Sequence, residues 1–177
     1  MHDAPSKLHP LAPDYAFDDD ASALTLAARI ADGTLSSRDL VERTLARIAQ
    51  HEPGLNAFVT VMHDAARREA ERADKLRARG VSLGPFHGVP TAIKDHHLVR
   101  FTRSRVGSRA FDWLWSPVDD RVARALRRGG FVLVGKTTMS ELGILPVVEP
   151  EIHPPTRNPW DRARTAGGSS GGAGAAV

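Results

Sequence analysis

The sequence predicts an α/β protein in which a sheet is covered by helices on both faces. Two short apolar segments, at residues 89–93 and 131–134, have the length and the β-branched content of buried strands. Segments with a helical spacing of apolar residues lie before the first strand, at residues 21–32, and between the two strands, at residues 120–128. Helices that alternate with buried strands are typical of a sheet packed on both sides.

The N-terminal region divides into two parts. Residues 1–19 are rich in proline and aspartate, so we expect a loose N-terminal segment, followed by a folded unit over residues 20–177. The first helix is predicted for residues 21–32, and Gly33 is placed to end it. Its inward-facing side chains are predicted to be Leu24, Ala27, Ala28 and Ile30.

A second helix is predicted to begin after a serine cap. Ser36 or Ser37 is the expected N-cap, with Asp39 placed as in a capping box. The apolar face of this helix is formed by Leu40, Val41, Leu45 and Ile48. Residues 57–62 either form a strand or lead into a third, strongly charged helix that stops at Gly80.

Composition bounds the class of protein. A chain of 177 residues with 41% hydrophobic residues can bury one core. The absence of cysteine excludes disulfides and thiolate metal sites, and it points to a reducing compartment. Residues 1–7 lack the apolar region of a signal peptide, and no later apolar run approaches the length of a transmembrane helix. We therefore expect a cytoplasmic protein that does not contact a membrane.

The formal net charge of +3 raises the question of a nucleic-acid partner. Basic and acidic residues alternate along residues 64–79, which is typical of a solvated helix face with internal ion pairs. Residues 100–109 carry four arginines with little acid beside them, and we expect them to form a solvated loop rather than a phosphate site. A nucleic-acid partner is not expected, and the sequence leaves open a homo-oligomer.

Lys94 is one of only four lysines among 24 lysines and arginines. Burial lowers the pKa of a lysine, which can then act as a neutral base, whereas arginine stays protonated in proteins. Lys94 follows a short apolar run, so a base at this position is one interpretation. A lysine at the end of a strand that pairs with Asp95 is the other.

The segment TAGGSSGGAGAAV, residues 165–177, combines glycines, two serines and small residues. Glycines permit backbone angles and close approaches that a Cβ would prevent. The segment is therefore either a loop that brings backbone close to a reacting group or a flexible tail.

Four motifs in order along the chain resemble those of the amidase signature family of serine hydrolases. GVPTAIKD at residues 88–95 is similar to the lysine motif, and GKTTMSEL at residues 135–142 to a segment between a strand and a helix. TRNPWD at residues 156–161 is similar to the turn before the signature, and GGSSGG at residues 167–172 to the start of the signature. The resemblance covers nearly the whole chain and implies the N-terminal part of that fold, with a mixed sheet.

The resemblance implies an activity that cleaves a carboxamide C–N bond through an acyl-enzyme, using a Ser-cisSer-Lys triad. Lys94 corresponds to the neutral base and Ser169 to the serine that bridges it to the nucleophile, while Gly168 and Ser170 belong to the auxiliary active-site loop. The bridging serine follows a cis peptide bond in the family, but in a chain that ends at Val177 we expect the bond before it to be trans. In the family the nucleophilic serine belongs to a later glycine-rich segment, so the resemblance implies that it is absent from this chain.

Three functions follow from the resemblance. The protein is an amidase that acts on a small-molecule amide, an amidotransferase A-subunit that releases ammonia for a tRNA-dependent partner, or a non-catalytic remnant that binds or scaffolds. This chain alone is expected to be inactive and incompletely stable, with apolar faces such as those of Val132 and Val134 exposed.

Several tempting residues are given no functional role. Neither a cofactor nor a metal site is predicted, since His96 and His97 are adjacent and point different ways in a regular element. Lys136 follows a glycine, but the glycine spacing of a phosphate loop is absent. Four apolar residues could either line an acyl pocket or pack in the core, and we expect core packing: Met139, Leu142, Ile144 and Leu145.

Overall fold

The computed structural model describes residues 21–177, so the predicted loose segment at residues 1–19 and the start of the folded unit at Asp20 lie outside the described residues. Helix α1 spans Ala23–Asp32 and ends at Gly33, whose φ of 83° is left-handed. Ala27 and Ile30 are buried as predicted, but Leu24 is 64% exposed and Ala28 is exposed too. The buried stripe is centred on Ala27 and Ile30 and extends toward Leu26, so Leu24 and Ala28 lie on the other side of the helix.

Helix α2 spans Ser37–Leu55, and the structure decides between the two candidate caps. The Ser36 hydroxyl accepts the backbone N–H of Asp39 at 2.9 Å, so Ser36 is the N-cap. The Ser37 hydroxyl instead donates to the backbone carbonyl of Gly88 at 2.7 Å. This buried bond fastens the start of α2 to the segment that leads into the sheet.

The main sheet is mixed, as the family resemblance implies. Its strands are β1 (Phe58–Val61), β2 (Pro90–Lys94) and β5 (Val132–Thr137). The spatial order is β1-β5-β2, with β1 antiparallel and β2 parallel to the central β5. Residues 57–62 therefore contain a strand, which is followed by the charged helix α3 (His63–Arg77).

The remaining elements are short. Strands β3 (Thr102–Arg103) and β4 (Trp115–Ser116) form a separate two-stranded sheet, and helix α4 (Arg121–Arg128) is capped by Asp120. Single 3₁₀ turns lie at Arg109–Phe111 and Glu141–Gly143, and the small-residue helix α5 spans Gly171–Ala176. No helix within residues 21–177 is long and apolar enough to cross a membrane.

Both faces of the central strand β5 are covered. Val132 and Val134 pack against α2 and α3 in one cluster, which contains Val41, Leu45, Ala66 and Ala70. Leu133 points to the other face and packs with Ile93 and with Ala123 of α4. Val132 and Val134 are each only 2% exposed, so the expectation that their faces are exposed is wrong. Helices α2 and α3 already cover that face within this chain.

The arginines of residues 100–109 have acidic partners that sequence proximity does not reveal. Arg100 lies 3.7 Å from Asp119, and Arg105 lies 2.7 Å from Asp112. Arg109 pairs with Glu151. Folding therefore supplies the compensating charge that the local sequence lacks.

Candidate active site

Lys94 and Ser169, which are 75 residues apart in sequence, meet on one side of the sheet. Lys94 is the last residue of β2, and its Nζ donates a hydrogen bond to Ser169 Oγ at 2.8 Å. Burial disfavours the charged ammonium and lowers the pKa of Lys94. A lysine with a lowered pKa in contact with a serine hydroxyl can exchange a proton with it.

The loop that carries Ser169 is held in place by the rest of the chain and is no flexible tail. The Ser169 carbonyl accepts the backbone N–H of Ser140 at 3.2 Å. At Gly168, a Cβ would lie 2.6 Å from Val147 N, so only glycine fits against this neighbouring segment. The peptide bond between Gly168 and Ser169 is cis, so the expectation of a trans bond in a chain of this length is wrong.

Ser170 stands at the junction between this loop and helix α5. It occupies the N-cap position, but its side chain makes no capping hydrogen bond to the helix, and the residue is exposed. Gly171 and Gly172 follow it and are buried. The two adjacent serines therefore differ in surroundings: Ser169 faces Lys94, and Ser170 faces solvent.

Asp95 does not pair with Lys94, which excludes the simple strand-end ion pair. Asp95 Oδ1 instead lies 2.7 Å from Lys136 Nζ, with Lys136 fully buried and Asp95 2% exposed. Desolvation lowers the pKa of Lys136, and the Asp95 carboxylate opposes that change. No role for Lys136 is predicted from the sequence, although a lysine inside the otherwise uncharged strand segment VLVGKT indicates a buried partner.

His96 and His97 lie in a turn after β2 with their ring centroids 3.9 Å apart, so they do not point different ways as expected for a regular element. Their environments nevertheless differ. His97 Nδ1 lies 2.9 Å from Asp120 Oδ2, whereas His96 is exposed and its pKa is lowered mainly by desolvation. Within residues 21–177 no group of three or more metal-ligating side chains is arranged to hold an ion.

The four apolar residues after β5 divide into two groups. Met139 is 2% exposed and belongs to the core as expected. Leu142 is 49% exposed, Ile144 74% and Leu145 53%, so core packing is wrong for these three. They lie in the segment that packs against the Ser169 loop, because a Cβ at Gly168 would lie only 2.8 Å from the Leu145 carbonyl oxygen.

A direct family match agrees with the mixed sheet and with the Lys94–Ser169 contact. Residues 39–177 match the Amidase family, and the chain belongs to that family. Among its relatives, the A-subunit of glutamyl-tRNA(Gln) amidotransferase from Synechococcus sp. (strain CC9605) is 42% identical over 161 residues, covering 89% of this chain and 33% of the relative. The family resemblance found in the sequence is thereby confirmed.

Solved structures agree with this assignment. A structure described as a vestigial protein complex that reveals the evolutionary origins of an s-triazine catabolic enzyme has a TM-score of 0.85 at 36% identity, covering 89% of this chain and 35% of that one. A bacterial aryl acylamidase of the amidase signature enzymes family has a TM-score of 0.84 at 32% identity, with 89% and 33% of the two chains covered. The chain thus spans about a third of the length of these relatives.

Proposed function

We propose that the full-length protein containing this chain hydrolyses a carboxamide C–N bond through an acyl-enzyme. The observation that carries the proposal is the 2.8 Å contact between Lys94 Nζ and Ser169 Oγ. The lowered pKa of Lys94 supports it, because a lysine amine must be unprotonated to accept a proton. The solved aryl acylamidase with the same fold supports the reaction class.

In the proposed mechanism Ser169 relays a proton between Lys94 and the nucleophile. By family resemblance the nucleophile is a serine of a later segment; its oxygen attacks the carbonyl carbon and its proton passes to Ser169, whose own proton passes to neutral Lys94. The Lys94 ammonium then returns a proton through Ser169 to the leaving nitrogen as the C–N bond breaks. Water hydrolyses the acyl ester. The family resemblance implies an auxiliary hydrogen-bonding role in the loop for Ser170, whose side chain faces solvent in this structure.

The first prediction tests the base directly. Lys94→Arg in the full-length protein should lower carboxamide turnover by at least ~100-fold, because a guanidinium cannot give up its proton to become a base. Lys94→Ala should be equally impaired. Steady-state kinetics on simple aliphatic and aromatic amides measure the effect, and Lys75→Arg, at an exposed lysine of α3, is the matched control.

Near-normal turnover by the arginine variant would rule out the base role of Lys94. A full-length protein that cleaves no carboxamide at all would contradict the proposed reaction and favour a non-catalytic binding role.

An amidotransferase component is the second candidate, and the 42% identity to the A-subunit of a glutamyl-tRNA(Gln) amidotransferase favours it. Such a component would use the same Lys94–Ser169 pair to release ammonia from an amide donor. Glutamine hydrolysis that rises when the protein is mixed with amidotransferase partner subunits would support this candidate. Efficient turnover of simple amides, with no response to those subunits, would support the amidase.

A further inference from the structure

A second lysine of the sheet is fully buried and has no part in the proposed proton relay. Lys136 Nζ lies 2.7 Å from Asp95 Oδ1, 2.5 Å from Ser104 Oγ and 2.7 Å from the Arg103 carbonyl oxygen. A buried charge is tolerated only with a partner and hydrogen bonds, and an unpaired one is strongly unfavourable. Asp95, the residue directly after the proposed base Lys94, is therefore the counter-ion that offsets the burial of Lys136.

The pair fastens the loop at residues 103–107 to the end of β2. Asp95 Oδ2 accepts the backbone N–H groups of Arg105 and Val106 at 2.9 and 3.0 Å. Because Lys136 binds Arg103 and Ser104, both members of the pair hold the same loop from two sides.

This loop connects the pair to the loop that carries Ser169. The Val106 carbonyl accepts the backbone N–H of Leu142 at 2.9 Å. Gly107 packs tightly against the segment that follows β5, since a Cβ at Gly107 would lie 2.8 Å from the Ser140 carbonyl oxygen. The Ser140 N–H in turn donates to the Ser169 carbonyl at 3.2 Å. Contacts thus run without interruption from Lys136 to Ser169.

The pair and the proposed base lie on opposite faces of the sheet. Successive side chains of a strand alternate between faces, so Lys94 reaches Ser169 while Asp95 points the other way. Lys136 lies beside Ile93 in the register of β2 and β5, on the Asp95 side.

We propose that Asp95 and Lys136 form a positioning pair, which holds Lys94 and Ser169 in register and, as long as both charges are present, contributes no net charge beside the proton relay. The inference rests on the proposed amide cleavage. Neither residue touches substrate in this proposal; both act through Lys94 and the loop at residues 103–107.

Breaking the pair should leave a single charge near Lys94. In Asp95→Asn the Lys136 ammonium keeps its hydrogen bonds to Ser104 Oγ and the Arg103 carbonyl and disfavours a charged Lys94, so the acid limb of the kcat/KM profile should move down by about one pH unit. In Lys136→Met the remaining Asp95 anion should move that limb up by about one unit. The other charged groups around the pair are Asp120 and Arg105, and His96 lies near Lys94; none of them is altered.

The experiment measures pH profiles of the full-length protein on a simple carboxamide. We expect opposite shifts in the two single variants, with kcat about 10- to 100-fold lower and KM within about threefold of the unaltered protein, because misplaced catalytic groups slow the reaction more than binding. The double variant, Asp95→Asn with Lys136→Met, should return the limb to its original position. Lys75→Met and Asp64→Asn, at exposed residues of α3, are charge-matched controls that should move nothing.

The proposal would be overturned if the acid limb of the kcat/KM profile does not move in the single variants, or moves in the same direction in both. It would also be overturned if the limb of the double variant stays shifted. Ser104→Ala removes one partner of Lys136 without a change of charge, so it stays informative if Lys136→Met fails to fold. It should lower kcat several-fold and leave the limb in place, and an unchanged kcat would overturn the proposal. Lys94→Ala separates the two hypotheses. If this variant retains activity, the proposed function fails. If it is inactive but the Asp95 and Lys136 variants show no shift of the acid limb, only the positioning pair is refuted.

Discussion

At the scale of single residues, the two lysines of the sheet have different surroundings. Lys94 has a serine hydroxyl as its neighbour, whereas Lys136 has a carboxylate. Desolvation lowers the pKa of Lys94, whereas for Lys136 the attraction to Asp95 opposes desolvation. Lys94 is therefore the better candidate for a base, and Lys136 for a fixed cation.

The lowered pKa of Lys94 predicts the pH dependence of catalysis. A protonated lysine cannot accept a proton, so kcat/KM should fall about tenfold for each pH unit below the pKa of Lys94 and level off above it. Burial shifts this acid limb below the range of an exposed lysine, whose pKa is about 10.4. A profile of the full-length protein between about pH 5.5 and 10 measures it, and a rate that increases toward low pH would contradict the base role.

The adjacent serines predict unequal effects of substitution. Ser169→Ala removes the hydroxyl that touches Lys94 and should lower turnover by at least ~100-fold. Ser170→Ala changes an exposed side chain that does not cap α5, so a smaller loss is expected. Kinetics of both variants in the full-length protein provide the comparison. Equal losses, or a greater loss at Ser170, would show that the two roles are wrongly assigned.

At the scale of elements, helix α5 depends on glycine to approach the sheet. At Gly172 a Cβ would lie 2.5 Å from the Ala57 carbonyl oxygen and also 2.5 Å from Thr138 N. These two atoms belong to the backbone, Thr138 directly after β5 and Ala57 directly before β1. They cannot move aside as the end of a flexible side chain could. The position of α5, and with it that of the Ser169 loop, is thus set by close backbone packing.

Two glycines of α5 form a matched pair for a stability test. Gly172→Ala should lower the free energy of unfolding by about 1–3 kcal/mol, because the new methyl group overlaps backbone atoms. Gly174→Ala meets only the Ala166 carbonyl oxygen at 4.0 Å, so the substitution should be neutral or stabilise the helix by up to about 1 kcal/mol. Urea unfolding followed by circular dichroism distinguishes the two. A Gly172→Ala variant as stable as the original chain would contradict this packing.

At the scale of the whole molecule, the described residues 21–177 bury the central strand but leave apolar surface elsewhere. Val132, Leu133 and Val134 are all at most 2% exposed. Large apolar side chains remain exposed at several places: Phe101, Trp113, Trp115, Ile144 and Trp160. Exposed apolar residues of this size promote association when they form contiguous patches.

We predict that the 177-residue chain by itself does not hydrolyse carboxamides, because the resemblance places the nucleophile in a later segment. An assay on aliphatic and aromatic amides, with the full-length protein as the positive control, tests the activity. The stability of the 177-residue chain does not depend on the missing nucleophile, because both faces of β5 are already covered within residues 21–177. Amide hydrolysis by this chain that disappears in Lys94→Ala would refute the prediction.

The sequence by itself determined the family, the alternation of helices and strands, and the two residues proposed for the proton relay. Local patterns carry this information: the serine cap at Ser36 or Ser37, the apolar segment of β5 and the four ordered motifs depend on neighbours within a few residues. Lys94 was distinguishable because arginine is the ordinary cation of this chain.

Only the tertiary structure decided which charges pair and which apolar faces are buried. Asp95 is adjacent to Lys94 but binds Lys136, because strand alternation directs neighbouring side chains to opposite faces and the register places Lys136 on the Asp95 side. Leu24 and Ile144 satisfy a local apolar pattern yet remain exposed, since no other element packs over them within residues 21–177. Contacts between residues distant in sequence depend on how elements pack, and no local pattern records them.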